Sequence, residues 1–206
     1  SIRSDGVGMP VTLRADSTQD LAPLSWSADG GYLLFGCGSY RSSLGGALWR
    51  LSLADGKAEP VLPATQAVSA SALSPDGRWI AFTTVSTGGP DIVVVAAPRS
   101  GVAPDLTARQ WPITSTGGDK PVWRRDSREL YYMRPDGTLM ALAVDGTHGD
   151  FRVLSETPLF QAFQRDIFHS YDVTADGQHF VVIVAGTEEG APLAVVTNWT
   201  QMLRRR

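Results

Sequence analysis

A chain of 206 residues that is 43% hydrophobic, with six Trp, five Tyr and seven Phe, carries enough bulk for a sizeable core. Its net charge of −3, with basic residues scattered except for the terminal Arg204-Arg205-Arg206, excludes a nucleic-acid platform, which needs a basic face or stripe. The one cysteine, Cys37, excludes an internal disulfide and multi-thiolate zinc or iron–sulfur sites; within "YLLFGCG" it reads as a small buried hydrophobe.

In chain order, no window holds the ~18 consecutive apolar residues of a membrane span, and no signal peptide opens the chain. The chain begins with Ser1, and the expectation is the C-terminal part of a longer protein. "SDGVGMPVTLR" reads as a turn at Asp5-Gly6 and a lone strand within residues 1–16. The first unit, residues 17–63, offers strands in "PLSWS", "GYLLFGC", "ALWRLSL" and "AEPVL". The second, 64–110, offers "SASALS", "RWIAFTTV", "DIVVVAAP" and a weaker fourth in "VAPDLT", where Pro104 suits an outer edge. The third, 111–157, repeats this as "PVWRR", "ELYYMR", "TLMALAV" and "FRVLS". A long connection, "TPLFQAFQRDIFHS", leads into the fourth unit, 158–206, with "YDVTA", "HFVVIVA" and "PLAVVTNW".

The units are copies of one another. "SADG", "SPDG", "RRDS" and "TADG" place Asp29, Asp76, Asp126 and Asp176 at gaps of 47, 50 and 50 residues. Trp26, Leu73, Trp123 and Val173 precede each aspartate by three, and Phe35, Phe82, Tyr132 and Val182 follow it by six. Asp-Gly between alternating apolar runs is a hairpin signal, since glycine takes φ > 0 and aspartate tolerates tight turns. Four short antiparallel strands per unit predict an all-β fold, a β-propeller of four four-stranded blades. The last unit lacks a fourth strand, which the N-terminal strand supplies by completing the last blade, either in the same chain or in a neighbouring copy.

"WSADGGYLLF", "LSPDGRWIAF" and "WRRDSRELYY" resemble the W-x-P-D-G repeat of TolB-like bacterial propellers over nearly the whole chain. The ending "PLAVVTNWTQMLRRR" resembles propeller domains attached to receptor-type serine/threonine kinases. The resemblance implies a sensor or scaffold domain outside the cytoplasm, with an upstream membrane-anchored domain; related propellers have six to eight blades, which implies blades missing upstream. The alternative is the non-catalytic gating propeller of a serine peptidase.

Catalytic signals are sparse. The chain has no Gly-x-Ser-x-Gly elbow and no paired carboxylates readable across a cleft. His148, His169 and His179 are not spaced as a ligand pair. The expectation is therefore no enzyme, no metal and no cofactor, but a binding module taking a protein or a small polar ligand at one propeller face. Aligned repeats put Ala22, Ser69, Asp119 and His169 at one position near the innermost strands, so Ser69, Asp119 and His169 are candidate ligand-binding residues at the channel mouth. Tyr40 and Arg41, on the loop "GSYRSSLGG", and Arg165 and Phe168, on the long connection, are candidate partner contacts, being aromatic or arginine residues of the kind enriched at hot spots. A homodimer that completes a wider ring is a further expectation.

Overall fold

The repeated turn explains where the chain reverses. In "SADGGY" the Ser27 hydroxyl donates to Asp29 Oδ1 (2.6 Å) and accepts from the Tyr32 N–H (3.0 Å), while Asp29 Oδ1 also accepts from the Gly31 N–H (3.0 Å). Ser74 with Asp76 and Thr174 with Asp176 repeat the lock. The third copy departs: Arg124 takes the place of the hydroxyl residue and binds Asp126 (2.6 Å) and Glu129 (2.8 Å) through its guanidinium. Ser127 occupies the left-handed conformation (φ 60°) that Gly30, Gly77 and Gly177 hold in the other copies.

These turns join the strands of the chain, a computed structural model that describes residues 11–38, 45–162 and 171–182, and the backbone of 194–197. The described residues form strands and no helix. Sheet 1 comprises β1 (Leu21–Trp26), β2 (Tyr32–Cys37), β3 (Ala47–Ser52) and β4 (Ala58–Pro60). Sheet 2 comprises β5 (Val68–Leu73), β6 (Trp79–Ser86), β7 (Gly89–Ala96) and β8 (Gln110–Pro112). Sheet 3 comprises β9 (Asp119–Trp123), β10 (Glu129–Met133), β11 (Thr138–Asp145) and β12 (Arg152–Gln161). Sheet 4 contains β13 (Tyr171–Val173), β14 (His179–Val182) and β15 (Ala194–Thr197). Every pairing is antiparallel and follows chain order across each sheet. The first strands lie side by side from sheet to sheet, β1 by β5 and β5 by β9, so each sheet is laid down from the inside outward.

The cores lie between the sheets. Tyr32, Leu34 and Leu48 of sheet 1 meet Ile80, Phe82, Val93 and Val95 of sheet 2. Trp79, Ala81, Ile92 and Val94 meet Leu130, Tyr132, Met140 and Leu142. Tyr131, Met133 and Leu139 meet Phe180 and Val182, with Tyr131 and Phe180 edge to face at 5.0 Å. Arg50, 4% exposed, crosses the first gap: its Nη2 binds Glu59 (2.6 Å) and its Nη1 donates to the Arg99 carbonyl (2.9 Å). Each charge has a partner, which buried charge requires.

Three strand assignments change. The fourth strand of sheet 2 is Gln110–Pro112, not "VAPDLT": Asp105 Oδ1 accepts from the Thr107 N–H and hydroxyl (2.9 and 2.7 Å), turning the chain just after Pro104, which lies in no strand. Trp111 then fixes the outer strand by stacking edge-on against Trp79 at 5.1 Å. In sheet 3, β12 extends through Gln161, so the first part of the expected connection is strand, held by Phe160 against Phe180 (5.6 Å). Residues 11–16 of the expected closing strand carry no strand; their side chains are exposed and bury no apolar face that could hold an edge, while residues 1–10 lie outside the described residues. The sheets do not close into a ring among the described residues.

Gly77 (φ +71°) has the Ala28 Cβ 3.3 Å from where its own would stand, so Gly77→Ala should cost about 1–2 kcal/mol in urea unfolding. Gly149→Ala (φ +76°), with open space around it, isolates the backbone share. Hydrogen bonds hold the turn carboxylates low: Asp29 to about 2, through Ser27 first, and Asp176 and Asp126 below the usual range, through Thr174 and Arg124 first. Their contribution is fully present above the unfolded value near 3.8 and is lost as pH falls through the lowered folded values. Urea midpoints should therefore drop between about pH 4 and pH 2, with a shallower drop in Asp29→Asn.

Candidate functional site

The first strands of sheets 1 to 3 lie side by side, and the described connections between sheets lead into their starts. The connection from sheet 2 to sheet 3 is held by a network of its own. Asp91 Oδ1 accepts from the Thr114 hydroxyl (2.8 Å) and the Gly117 N–H (3.1 Å); Thr114 Oγ1 in turn accepts from the Ile92 N–H (2.9 Å). Gly118 slots between the sheets, where a Cβ would stand 3.0–3.1 Å from Ile92, Tyr132 and Thr114 side chains. The loop thus delivers Asp119 to the first position of β9, half-buried.

The next residue bends the strand. Lys120 adopts φ 57°, uncommon outside glycine, and its N–H donates to Asp119 Oδ1 (2.7 Å) and to Thr83 Oγ1 (3.2 Å), a hydroxyl on a fully buried residue. The Lys120 carbonyl accepts from the Tyr171 hydroxyl (2.8 Å). Burial, then the charge of Asp119, pushes the Tyr171 hydroxyl well above the ordinary tyrosine range, so it stays a donor. The Trp123 indole N–H donates to the Ala72 carbonyl (3.1 Å), tying β9 to β5 as Tyr171 ties β13 to β9.

Each of the first three inner strands carries a bulge: between Pro23 and Ser25, between Val68 and Ala70, and opposite Tyr132. A bulge leaves one residue outside the ladder and re-aims its side chain. Ser69 is that residue in β5 and is half-buried. By ladder register, Asp119 opposite Met133 matches Ala70 opposite Thr83 and Ala22 opposite Gly36, so the sequence alignment of Ser69 with Asp119 slips by one residue at the bulge. His169, Tyr40, Arg41, Arg165 and Phe168 lie outside the described residues.

On the same face, ahead of β1, Asp16 Oδ1 accepts from the Thr18 N–H and hydroxyl (2.8 and 2.7 Å) and the Gln19 N–H (3.2 Å), bonds that lower its carboxyl, with the Thr18 hydroxyl first. The Gly38 N–H donates to the Asp20 carbonyl (3.0 Å), and the Cys37 thiol to Gln19. Burial raises the Cys37 thiol, with Asp16 adding to it, which opposes thiolate chemistry. An open hollow of about 480 Å³ is lined by Asp16, Ser17, Thr18, Gln19, Asp20 and Gly38. Among the described residues no group of three or more His, Cys, Asp or Glu is placed to hold a metal. What the face offers is carboxylate, hydroxyl and backbone acceptors, suited to hydroxyl or ammonium donors.

Sequence reasoning found Asp119 and missed its supports. Two adjacent glycines in "STGGDK" mark the close approach, but Asp91, Thr83 and Tyr171 reach the site from other sheets and have no local signature.

No family model and no curated protein sequence matches the chain. Solved structures do. A Bacteroides uniformis protein named as a 6-phosphogluconolactonase superposes with a TM-score of 0.55 at 13% identity, over 89% of this chain and 56% of its own. The periplasmic gluconolactonase of Pseudomonas aeruginosa gives 0.52 at 18%, over 88% and 54%. The Cps50 β-propeller domain of Myceliophteria thermophila gives 0.51 at 15%, over 85% and 56%. The fold is that of a β-propeller, and the chain spans little more than half the length of these structures. Of the expected TolB-like propeller, the comparisons support the propeller fold and not the family. The expectation of no enzyme is corrected: two of the three neighbours are named as lactonases, so the lack of a hydrolase elbow does not make a chain of this fold non-catalytic. At these identities the likeness assigns no reaction here.

Tyr171→Phe should cost about 1 kcal/mol at pH 7 through the lost bond to Lys120. The tyrosine contribution is fully present below its unfolded value near 10 and lost as pH rises toward the raised folded value. Alkaline unfolding followed by fluorescence should be shallower in the variant.

Proposed function

We propose that this chain is a β-propeller ligand-binding domain of a larger protein, taking a small hydroxyl- or ammonium-bearing molecule at the face where the inner strands begin. The observation that carries the reading is Asp119. It stands half-buried at the start of β9, on a loop pinned by Asp91 and beside a left-handed Lys120 that Thr83 and Tyr171 hold. Such over-determination orients a carboxylate before any ligand arrives, the arrangement that gives a binding group its geometry. Ser69, in the neighbouring bulge, adds a hydroxyl, and the hollow at Asp16–Asp20 extends the polar surface. The expected setting, a sensor domain outside the cytoplasm behind a membrane-anchored segment, is supported by the repeat resemblance and belongs to the same proposal.

Calorimetric titration with gluconate, glucono-lactone, neutral polyols and glucosamine tests it. The expected outcome is saturable binding of at least one probe, weakened tenfold or more, about 1.4 kcal/mol, in Asp119→Ala with its melting transition retained. Binding unchanged by Asp119→Ala, or no saturable binding to any probe, would overturn the proposal. Acid release from the lactone in a pH-stat, lost in the same variant, would assign turnover to this face.

A further inference from the structure

Departures from the repeat gather at one corner of sheet 3. By ladder register, Asp119 stands where sheets 1 and 2 have Ala22 and Ala70. Lys120, the next residue, stands where they have Pro23 and Ser71. Arg134 follows Met133, the register partner of Asp119, and stands where they have Cys37 and Thr84. Three places that are uncharged in sheets 1 and 2 thus hold one carboxylate and two cations. The hairpin that begins at Arg134 packs on the loop that carries Asp119: a Cβ on Gly117 would stand 2.4 Å from Pro135 Cγ. Asp119, Lys120 and Arg134 are all half-buried.

Lys120 is the most strained of these departures. Its φ of 57° lies in the left-handed region, which burdens an L side chain and leaves glycine without a clash. The bonds described for it there are backbone bonds: its N–H donates to Asp119 Oδ1 and Thr83 Oγ1, and its carbonyl accepts from the Tyr171 hydroxyl. Glycine would make all three without strain. The two residues just before Asp119 are glycines, and Gly117 itself has a positive φ of 99°. A backbone role alone therefore selects glycine at position 120. A lysine brings an ammonium to the start of β9 in spite of the strain, and strain of this kind collects at functional sites.

We propose that Lys120, with Arg134 at the same corner, binds the anionic group of a ligand whose hydroxyl Asp119 takes. With Asp119 as the ligand-binding carboxylate, on which this rests, the ligand narrows from any hydroxyl or ammonium donor to a hydroxy acid. An ammonium ligand would meet two cations beside one carboxylate.

Calorimetric titration with gluconate and with sorbitol, its neutral polyol counterpart, tests this. The unmodified chain should bind gluconate about tenfold more tightly than sorbitol. Lys120→Gly should bring that ratio to within about twofold while melting at or above the unmodified temperature, because the left-handed strain is relieved. Lys120→Met, which keeps the strain and removes the charge, should lower the ratio alike, and Lys120→Arg should retain most of it. Equal affinity for the two probes in the unmodified chain sinks the proposal, as does a ratio that survives in both Lys120→Gly and Lys120→Met. A Lys120→Gly chain that melts lower yet still prefers gluconate assigns the side chain to the fold instead. Binding of glucosamine in preference to gluconate, abolished by Asp119→Ala, overturns the hydroxy acid and leaves the Asp119 reading standing; binding of no probe overturns both.

Discussion

The structure depends on the packing of one flat apolar sheet face against the next. A strand alternates its side chains between two faces, so a four-stranded sheet with apolar residues on both has two surfaces to remove from water and cannot do so alone. Stacking satisfies both faces of every inner sheet at once. It explains why Phe82 and Ala81, neighbours in sequence, are both wholly buried while belonging to different cores. It also makes the number of sheets a matter of what covers the ends, because nothing in the contact itself limits the series.

Two sets of ties set how the sheets are angled. At one end, the turns touch: the Asp76 N–H donates to Ser127 Oγ (3.0 Å), and a Cβ on Gly177 would meet Arg124 and the Tyr131 hydroxyl within 3 Å. Along the inner strands, Trp123 and Tyr171 bond backbone carbonyls of the preceding sheet. The bulges sit among these ties, and a bulge in an inner strand is where a side chain can leave the ladder without breaking a sheet. The polar residues of the candidate face are placed by that freedom.

Repetition and function divide along the same line. The residues that recur every 47 to 50 positions make turns and cores, and the surface they leave is set by loops that do not recur. A propeller face of this kind serves binding and catalysis alike, which is why the lack of a familiar nucleophile motif was a poor guide to whether the chain is an enzyme.

Much of the fold was legible in the chain. Asp29, Asp76, Asp126 and Asp176, with apolar residues at fixed offsets, determined the strands, the hairpins and the order of the sheets, because a turn's hydrogen bonds and a strand's alternation involve only near neighbours. Where local signals were weak, packing decided: Trp111 against Trp79 fixed the outer strand that "VAPDLT" did not, and Phe160 against Phe180 lengthened β12. At the candidate face the sequence supplied Asp119 but not its company, since Asp91, Thr83 and Tyr171 come from three other stretches of chain. Local hydrogen bonds and periodicity are written in sequence order; the register of a bulge and the reach of Tyr171 to Lys120 depend on how strands and sheets meet, and only the tertiary structure sets those.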